Sequence, residues 1–332
     1  MIMVDNLHKE YKRLVRKEGL FSGIRNLFNR DYETVEAVKA LSFTINEGEL
    51  VGYIGPNGAG KSTSIKMLTG ILVPTRGQVL VNGIVPYHNR KQNASQIGVV
   101  FGQKSHLWWD VPVIESFKLL KHMYNISNRD FNTNLQLFDE LLDLNTFINI
   151  PVRQLSLGQR MRSDIAAALL HNPKILFLDE PTIGLDVIAK EKLREFIKTI
   201  NVEKKVTVLL TTHDMKDIEK LCSRMIIIDH GRIIYDGSVE EIRRQYGTTK
   251  TIVIEFENAV SDFAVPNAKL VKSTANKKWF QFNRLETSST DLVSYIGSLY
   301  PVTDLSVEDQ DIEEIVRMVY RGTDNSFLEA SG

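Results

Sequence analysis

Short apolar runs alternate with longer amphipathic stretches over residues 1 to about 245. That alternation predicts an α/β domain with a largely parallel sheet. Strands are expected at 41–45, 49–54, 79–82, 97–101, 175–178, 206–211 and 225–229. Asp229-His230-Gly231 separates two apolar runs between Met225 and Tyr235, which predicts a hairpin. Ser238-Val239-Glu240-Glu241 has the spacing of a capping box and opens a short helix. Residues 104–172 carry few strand signals and several helical ones, so a helical subdomain is expected there, inserted into the sheet. The pattern shifts near Gly247-Thr248-Thr249. Beyond it, strand 251–257, strand 278–283, helix 288–299, strand 302–307 and helix 311–320 predict a small α+β appendage over 250–322. Residues 323–332 are polar and expected to fray.

Composition narrows the class. The chain has 332 residues and is 43% apolar, enough for two or three domains with a large core. Its 41 basic and 41 acidic side chains cancel, so there is no electrostatic case for wrapping nucleic acid. Cys222 is the sole cysteine, which excludes an intramolecular disulfide and a thiolate metal cage. No apolar run approaches the length of a bilayer span. Met1 to Asp5 lacks the basic and apolar regions of a signal peptide. A cytoplasmic location is expected, with another chain supplying any membrane-spanning part.

The chemistry enters after the strand at 49–54. Gly55-Pro56-Asn57-Gly58-Ala59-Gly60-Lys61-Ser62-Thr63 has the spacing G-x-x-x-x-G-K-[ST], between an apolar strand and a helical run. Glycines let the backbone curl so that N–H groups point at phosphate oxygens, and the helix N-terminus adds positive potential there. Lys61 is expected to reach the β- and γ-phosphates, and Ser62 to bind Mg²⁺. Ligands of open α/β sheets bind outside the carboxyl ends of the strands. Four more polar residues fall at three such ends: Asp179-Glu180 after 175–178, Gln103 after 97–101, and His213 after 206–211. Asp179 is expected to hold Mg²⁺ through water and Glu180 to deprotonate the attacking water. Gln103 suits the metal or the water, and His213 the γ-phosphate.

Leu155-Ser156-Leu157-Gly158-Gln159-Arg160 precedes a helical run ending near His171. Ser156 is a natural N-cap and Gln159 completes a capping box. Gly158 is harder to explain, because glycine in a first turn costs about 1 kcal/mol against alanine. Such a glycine suggests that something approaches the backbone closely.

Taken in order, Gly55 to Thr63, Gln103, Leu155 to Gln159, Leu176 to Glu180, Gly184-Leu185-Asp186 and His213 resemble the motifs of ATP-binding-cassette ATPases. The resemblance covers residues 1–245. It implies an α/β P-loop fold: a RecA-like parallel core sheet, an antiparallel β subdomain and an inserted helical subdomain. It also implies ATP and Mg²⁺ as cofactors, and a head-to-tail dimer in which Ser156, Gly158 and Gln159 face the ATP held by the partner's phosphate loop. Asp186 would then lie across the dimer seam. Leu157 departs from the family pattern, where many members have glycine. The family stacks an aromatic residue on adenine. Tyr11 matches that position best, with Tyr32 its rival.

The resemblance further implies polytopic permease subunits as partners, no nucleic acid, and a site at the cytoplasmic face of the cell membrane. Residues 12–34 form a longer insertion than relatives have. A helix there would align Leu20, Phe21, Ile24, Leu27 and Phe28, flanked by Lys12, Arg13, Arg16, Lys17, Arg25 and Arg30. Such a stretch suits a membrane surface, a partner or its own domain equally. Of Trp108 and Trp109, at least one is expected in the core. The tail around Asp311 to Val316 resembles polyketide-drug and viologen-type exporter ATPases. The leading expectation is an ABC-2-type exporter ATPase working as a homodimer. The alternatives are a soluble family member acting on ribosomes or DNA, and an import-type ATPase.

Overall fold

A computed structural model of the protein describes residues 1–14, 32–102 and 105–329. The chain divides into two compact units, Met1–Asp236 and Gly237–Gly332.

In chain order the first unit contains β1 (Ile2–Leu14), β2 (Tyr32–Ile45), β3 (Leu50–Ile54), α1 (Lys61–Leu68), β4 (Arg76–Val81), α2 (Arg90–Ala94), β5 (Ile97–Phe101) and α3 (Val113–Met123). It continues through α4 (Asn128–Leu142), α5 (Leu157–Leu169), β6 (Ile175–Asp179), α6 (Val187–Lys204), β7 (Thr207–Thr211), α7 (Met215–Leu221), β8 (Arg224–Asp229) and β9 (Arg232–Ser238). The main sheet runs β5-β6-β7-β3-β8-β9. Its first five strands are parallel. Every residue of β3 and β7 is buried, because both faces of the sheet are covered there. That double burial is why these strands read as unbroken apolar runs.

A second sheet, β2-β1-β4, is antiparallel. Ile2, Val4, Leu7, Leu41, Phe43 and Ile45 pack from it onto Val51, Tyr53 and Ile65. The β1–β2 hairpin is longer than the sequence suggested. Lys12 pairs with Thr34 and Arg13 with Glu33, so both ends of the expected helical insertion are strand. Its apolar stripe, Leu20 to Phe28, and Arg16, Lys17, Arg25 and Arg30 lie outside the described residues.

Helices α3, α4 and α5 fill the expected helical stretch. Ser127 caps α4, and Ser156 caps α5 with a complete capping box. The segment before α3 departs from expectation. Trp108 and Trp109 are both about half exposed, at 42% and 50%. Backbone bonds hold the segment, with Arg153 N–H donating to the Trp109 carbonyl. The indoles are left outward, Trp109 under the Arg160 guanidinium 4.7 Å from its ring centre.

The second unit holds α8 (Val239–Tyr246), β10 (Thr249–Phe256), β11 (Ala268–Ser273), β12 (Lys277–Asn283), α9 (Ser289–Leu299), β13 (Val302–Asp309) and α10 (Ile312–Glu329). Its antiparallel sheet has the order β11-β12-β10-β13. Ile252, Ile254, Phe280 and Phe282 pack against Leu292 and Ile296 of α9. Strand β11 is not apparent in the sequence, since it is an edge strand carrying exposed Lys269 and Lys272. The backbone of α10 is helical to Glu329, where polar composition suggested fraying.

Candidate functional site

The loop between β3 and α1 is fixed by its glycines. Gly60 has φ +102°, and a Cβ there would stand 2.5 Å from the Ala37 carbonyl oxygen. A Cβ on Gly55 would stand 2.5 Å from the Ile228 carbonyl oxygen. Neither position accepts a larger residue without moving backbone. Lys61 opens α1 and is buried, its ammonium donating to the carbonyls of Gly55 (2.5 Å) and Pro56 (3.1 Å). Burial lowers its pKa, opposed by the charges of Glu180 and Asp179. Pro56, Asn57, Gly58 and Ser62 are exposed around it, while Ala59 packs inward.

Two strand ends meet this loop, those of β6 and β7. Asp179 closes β6, next to β7 in the sheet. Its Oδ2 lies 3.4 Å from Ser62 Oγ, and its Oδ1 accepts a 2.5 Å hydrogen bond from Thr211 Oγ1. A hydroxyl and a carboxylate facing each other at 3.4 Å offer the hard oxygen donors that magnesium takes, directly or through the waters it keeps. The residues therefore fit the ion the sequence implies. Glu180 follows at φ +56°, and its Oε1 stands 2.6 Å from His213 Nε2. A cleft of about 290 Å³ lies beside them, lined also by Thr182, Gly184 and Lys190. Gln103 lies outside the described residues.

The remaining sequence candidates sit elsewhere. Ser156, Gly158 and Gln159 occupy the N-terminal turn of α5. Ser156 Oγ accepts from Gln159 N–H (3.2 Å), and Gln159 Oε1 accepts from Ser156 N–H (2.9 Å). A Cβ on Gly158 would meet nothing nearer than Ala189 Cβ at 3.5 Å, so the glycine is not required by its own chain. Asp186 caps α6 through a 2.8 Å bond from Ala189 N–H. Large apolar side chains are exposed nearby on both elements: Leu157, Ile183, Val187 and Ile188. Tyr11 is 41% and Tyr32 50% exposed. Tyr11 pairs with Val35, two residues from the Ala37 carbonyl that abuts Gly60. Tyr32 lies five residues from Ala37, about 16 Å along the strand.

Some side chains that shape the site were not singled out from the sequence. Asp217, Arg194, Thr182 and Thr211 form bonds directly behind Glu180 and Asp179. Asp164 of α5 holds the segment that follows Gln103 in sequence, accepting from Ser105 Oγ and His106 N–H. The acids lie on helices and carry no motif spacing, so nothing in the sequence marks them out.

A parallel sheet with a phosphate-type loop at one strand end and an acid pair at another defines a P-loop nucleotide-hydrolysing protein. Comparison with known proteins gives its family. The ABC transporter family model matches residues 38–183. The ABC transporter ATP-binding protein NatA of Bacillus subtilis (strain 168) is 33% identical over 215 residues, covering 65% of this chain and 87% of that protein. The probable multidrug ABC transporter ATP-binding protein YbhF of Escherichia coli (strain K12) is 36% identical over 238 residues, 71% of this chain but only 38% of that protein. The dimeric post-hydrolysis structure of the ATP-binding cassette MJ0796, bound to ADP and Pi, superposes with a TM-score of 0.60 at 29% identity. It covers 72% of this chain and 99% of that one. The chain belongs to the ATP-binding-cassette (ABC) transporter family, as an ATP-binding subunit with ATPase activity. Among the described residues no helix is long and apolar enough to cross a membrane.

Proposed function

We propose that this chain is the motor of an ABC-2-type exporter, driving separate polytopic permease subunits from the cytoplasmic face of the membrane. The observation that carries the motor reading is the convergence of Lys61, Ser62, Asp179, Glu180 and His213 on one rim, with contacts of 3.4 Å between Ser62 and Asp179 and 2.6 Å between Glu180 and His213. Gly55 to Thr63 wrap the phosphates, and Lys61 leaves its carbonyl partners to bind them. Ser62 and Asp179 would hold Mg²⁺, with Gln103 as the further ligand the sequence implies. That ion would neutralise phosphate charge during hydrolysis. Glu180 activates the attacking water, and His213 contacts the γ-phosphate. Tyr11 stacks on adenine, favoured over Tyr32 by its shorter distance along the hairpin.

Each site is completed by a second copy of the chain. Ser156, Gly158 and Gln159 face the partner's γ-phosphate, and Asp186 lies at the seam. The exposed apolar group of Leu157, Ile183, Val187 and Ile188 supports this, since such a cluster marks an interaction surface. The dimeric ATP-binding cassette among the structural neighbours supports it too. Export rather than import is favoured by the similarity to a probable multidrug transporter protein.

The test is a pull-down of tagged Glu180→Gln from mild-detergent extracts of its native cells, with ATP and Mg²⁺. A stoichiometric polytopic membrane protein is expected among the co-purifying chains. Ribosomal proteins or nucleic acid with a wholly soluble ATPase would overturn the transporter reading and leave the ATP chemistry intact.

A further inference from the structure

Glu180 is one of the described residues held at a positive φ without being glycine. Its φ of +56° lies in the left-handed region, which is strained for a residue with a Cβ. Strain of this kind persists only where the surroundings over-determine it. On one side the Glu180 N–H donates to the Thr211 carbonyl (3.0 Å) and to Thr211 Oγ1 (3.1 Å). On the other side Pro181 leads to Thr182, which is buried. Thr182 Oγ1 donates to Asp217 Oδ2 at 2.5 Å. Thr212, the residue before His213, donates its own hydroxyl to the same oxygen at 2.9 Å.

Asp217 lies on α7 and is fully buried, so it touches neither solvent nor nucleotide. Its second oxygen, Oδ1, accepts from Arg194 Nε (2.7 Å) and Arg194 Nη2 (2.5 Å). Arg194 lies on α6 and is itself buried. Both guanidinium nitrogens converge on this one oxygen, a charge-assisted contact that compensates a charge otherwise costly to bury. Arg194 also reaches Glu191 and Asp214, and Asp214 binds Lys190 and caps α7. One carboxylate therefore ties together the loop carrying Glu180, the loop carrying His213, and helix α6.

We propose that Asp217 is a positioning residue for ATP hydrolysis, holding Glu180 and His213 in mutual register by accepting the Thr182 and Thr212 hydroxyls on one oxygen while Arg194 anchors the other. The proposal rests on reading Glu180 as the residue that activates water. It requires a carboxylate. Asparagine offers one acceptor oxygen, so its amide nitrogen must face either the two hydroxyls or the guanidinium.

The full-length chain is tested as Asp217→Asn and Thr182→Val, each alone and combined with Glu180→Gln. Both single variants should lose about ten- to a hundredfold in kcat, the scale expected when a reacting group is slightly misplaced. Equilibrium binding of Mg·ATP should change less than about twofold, since the phosphate loop is untouched. In the Glu180→Gln background each substitution should lower the residual turnover by clearly less than its single-variant factor, because one of the two groups being positioned is already gone. A core-packing role would instead multiply the two losses, or remove ATP binding with turnover, and either result overturns the proposal. If Asp217→Asn fails to fold, Thr182→Val decides alone, since it deletes a single bond and leaves the buried ion pair whole. Full kcat in a folded Thr182→Val, with Glu180→Gln inactive, overturns the positioning role and spares the base. Near-normal turnover in Glu180→Gln removes the base reading, and the proposal falls with it.

Discussion

Asp164 shows how one buried acid sets a pH dependence. It is 5% exposed on α5, and its Oδ1 accepts bonds from Ser105 Oγ (2.8 Å) and His106 N–H (3.0 Å). Burial pushes its carboxyl up to about 6, against these two bonds and the charge of Arg160. The folded chain therefore binds a proton that the unfolded chain, with its value near 3.8, releases earlier. The stability this proton brings is present below 3.8 and is lost as pH rises through about 6. At neutral pH the ionised carboxylate costs on the order of 2–3 kcal/mol. Asp164→Asn keeps an acceptor for both bonds and removes the charge. It should melt several degrees above the wild type at pH 7.5, with the gap closing as pH falls toward 4. A gap independent of pH, measured by thermal unfolding across that range, would contradict the burial argument.

At the scale of elements, the N-terminus of α5 separates what a helix needs from what a reaction needs. Its capping box is complete without Gly158, and a Cβ there meets only ordinary contact at 3.5 Å. Gly158→Ala should therefore stabilise the chain by up to about 1 kcal/mol through helix propensity. It should also lower ATPase turnover by at least about tenfold, because the proposed partner phosphate needs the bare backbone. Unfolding and turnover assays on the same preparation check the opposite signs. Equal turnover would leave the glycine without a function. The same contrast explains what the sequence disclosed. The phosphate loop, Asp179-Glu180 and Ser156 to Gln159 were legible because their chemistry demands fixed residue types at fixed spacing, and β3, β5 and β7 because double burial makes unbroken apolar runs. Strand β1 alternates polar and apolar residues beside a long hairpin, and β11 is a lysine-bearing edge, so neither stood out. Asp217, Arg194 and Asp164 are ordinary helix residues until partners remote in sequence define them. The Trp108–Trp109 pair misled, since aromatic content suggested burial and the segment's backbone bonds turned both indoles outward.

For the whole molecule, the decisive question is whether one chain can hydrolyse ATP alone. The phosphate loop and the α5 N-terminus belong to the same unit, yet α5 begins with exposed Ser156 and Leu157, and its cap is satisfied internally. Nothing in that arrangement uses Gly158, whereas a head-to-tail second copy would. Two defects should then complement each other. Lys61→Ala removes the phosphate cation and Ser156→Arg obstructs the facing helix, so each variant alone should be inactive. In a mixed dimer the two lesions fall in one site, and the other site pairs an intact loop with an intact α5 N-terminus. Random mixing gives half mixed dimers with one good site in two, so a 1:1 mixture should recover about a quarter of wild-type turnover if the sites act independently. Specific activity should also fall on dilution, as an association equilibrium requires. A mixture as inactive as its components, with dimers present by sedimentation, would mean that hydrolysis in one site needs the other site competent as well. Turnover by Ser156→Arg alone at the wild-type rate would mean that the site is complete within one chain, and the dimer reading would fail.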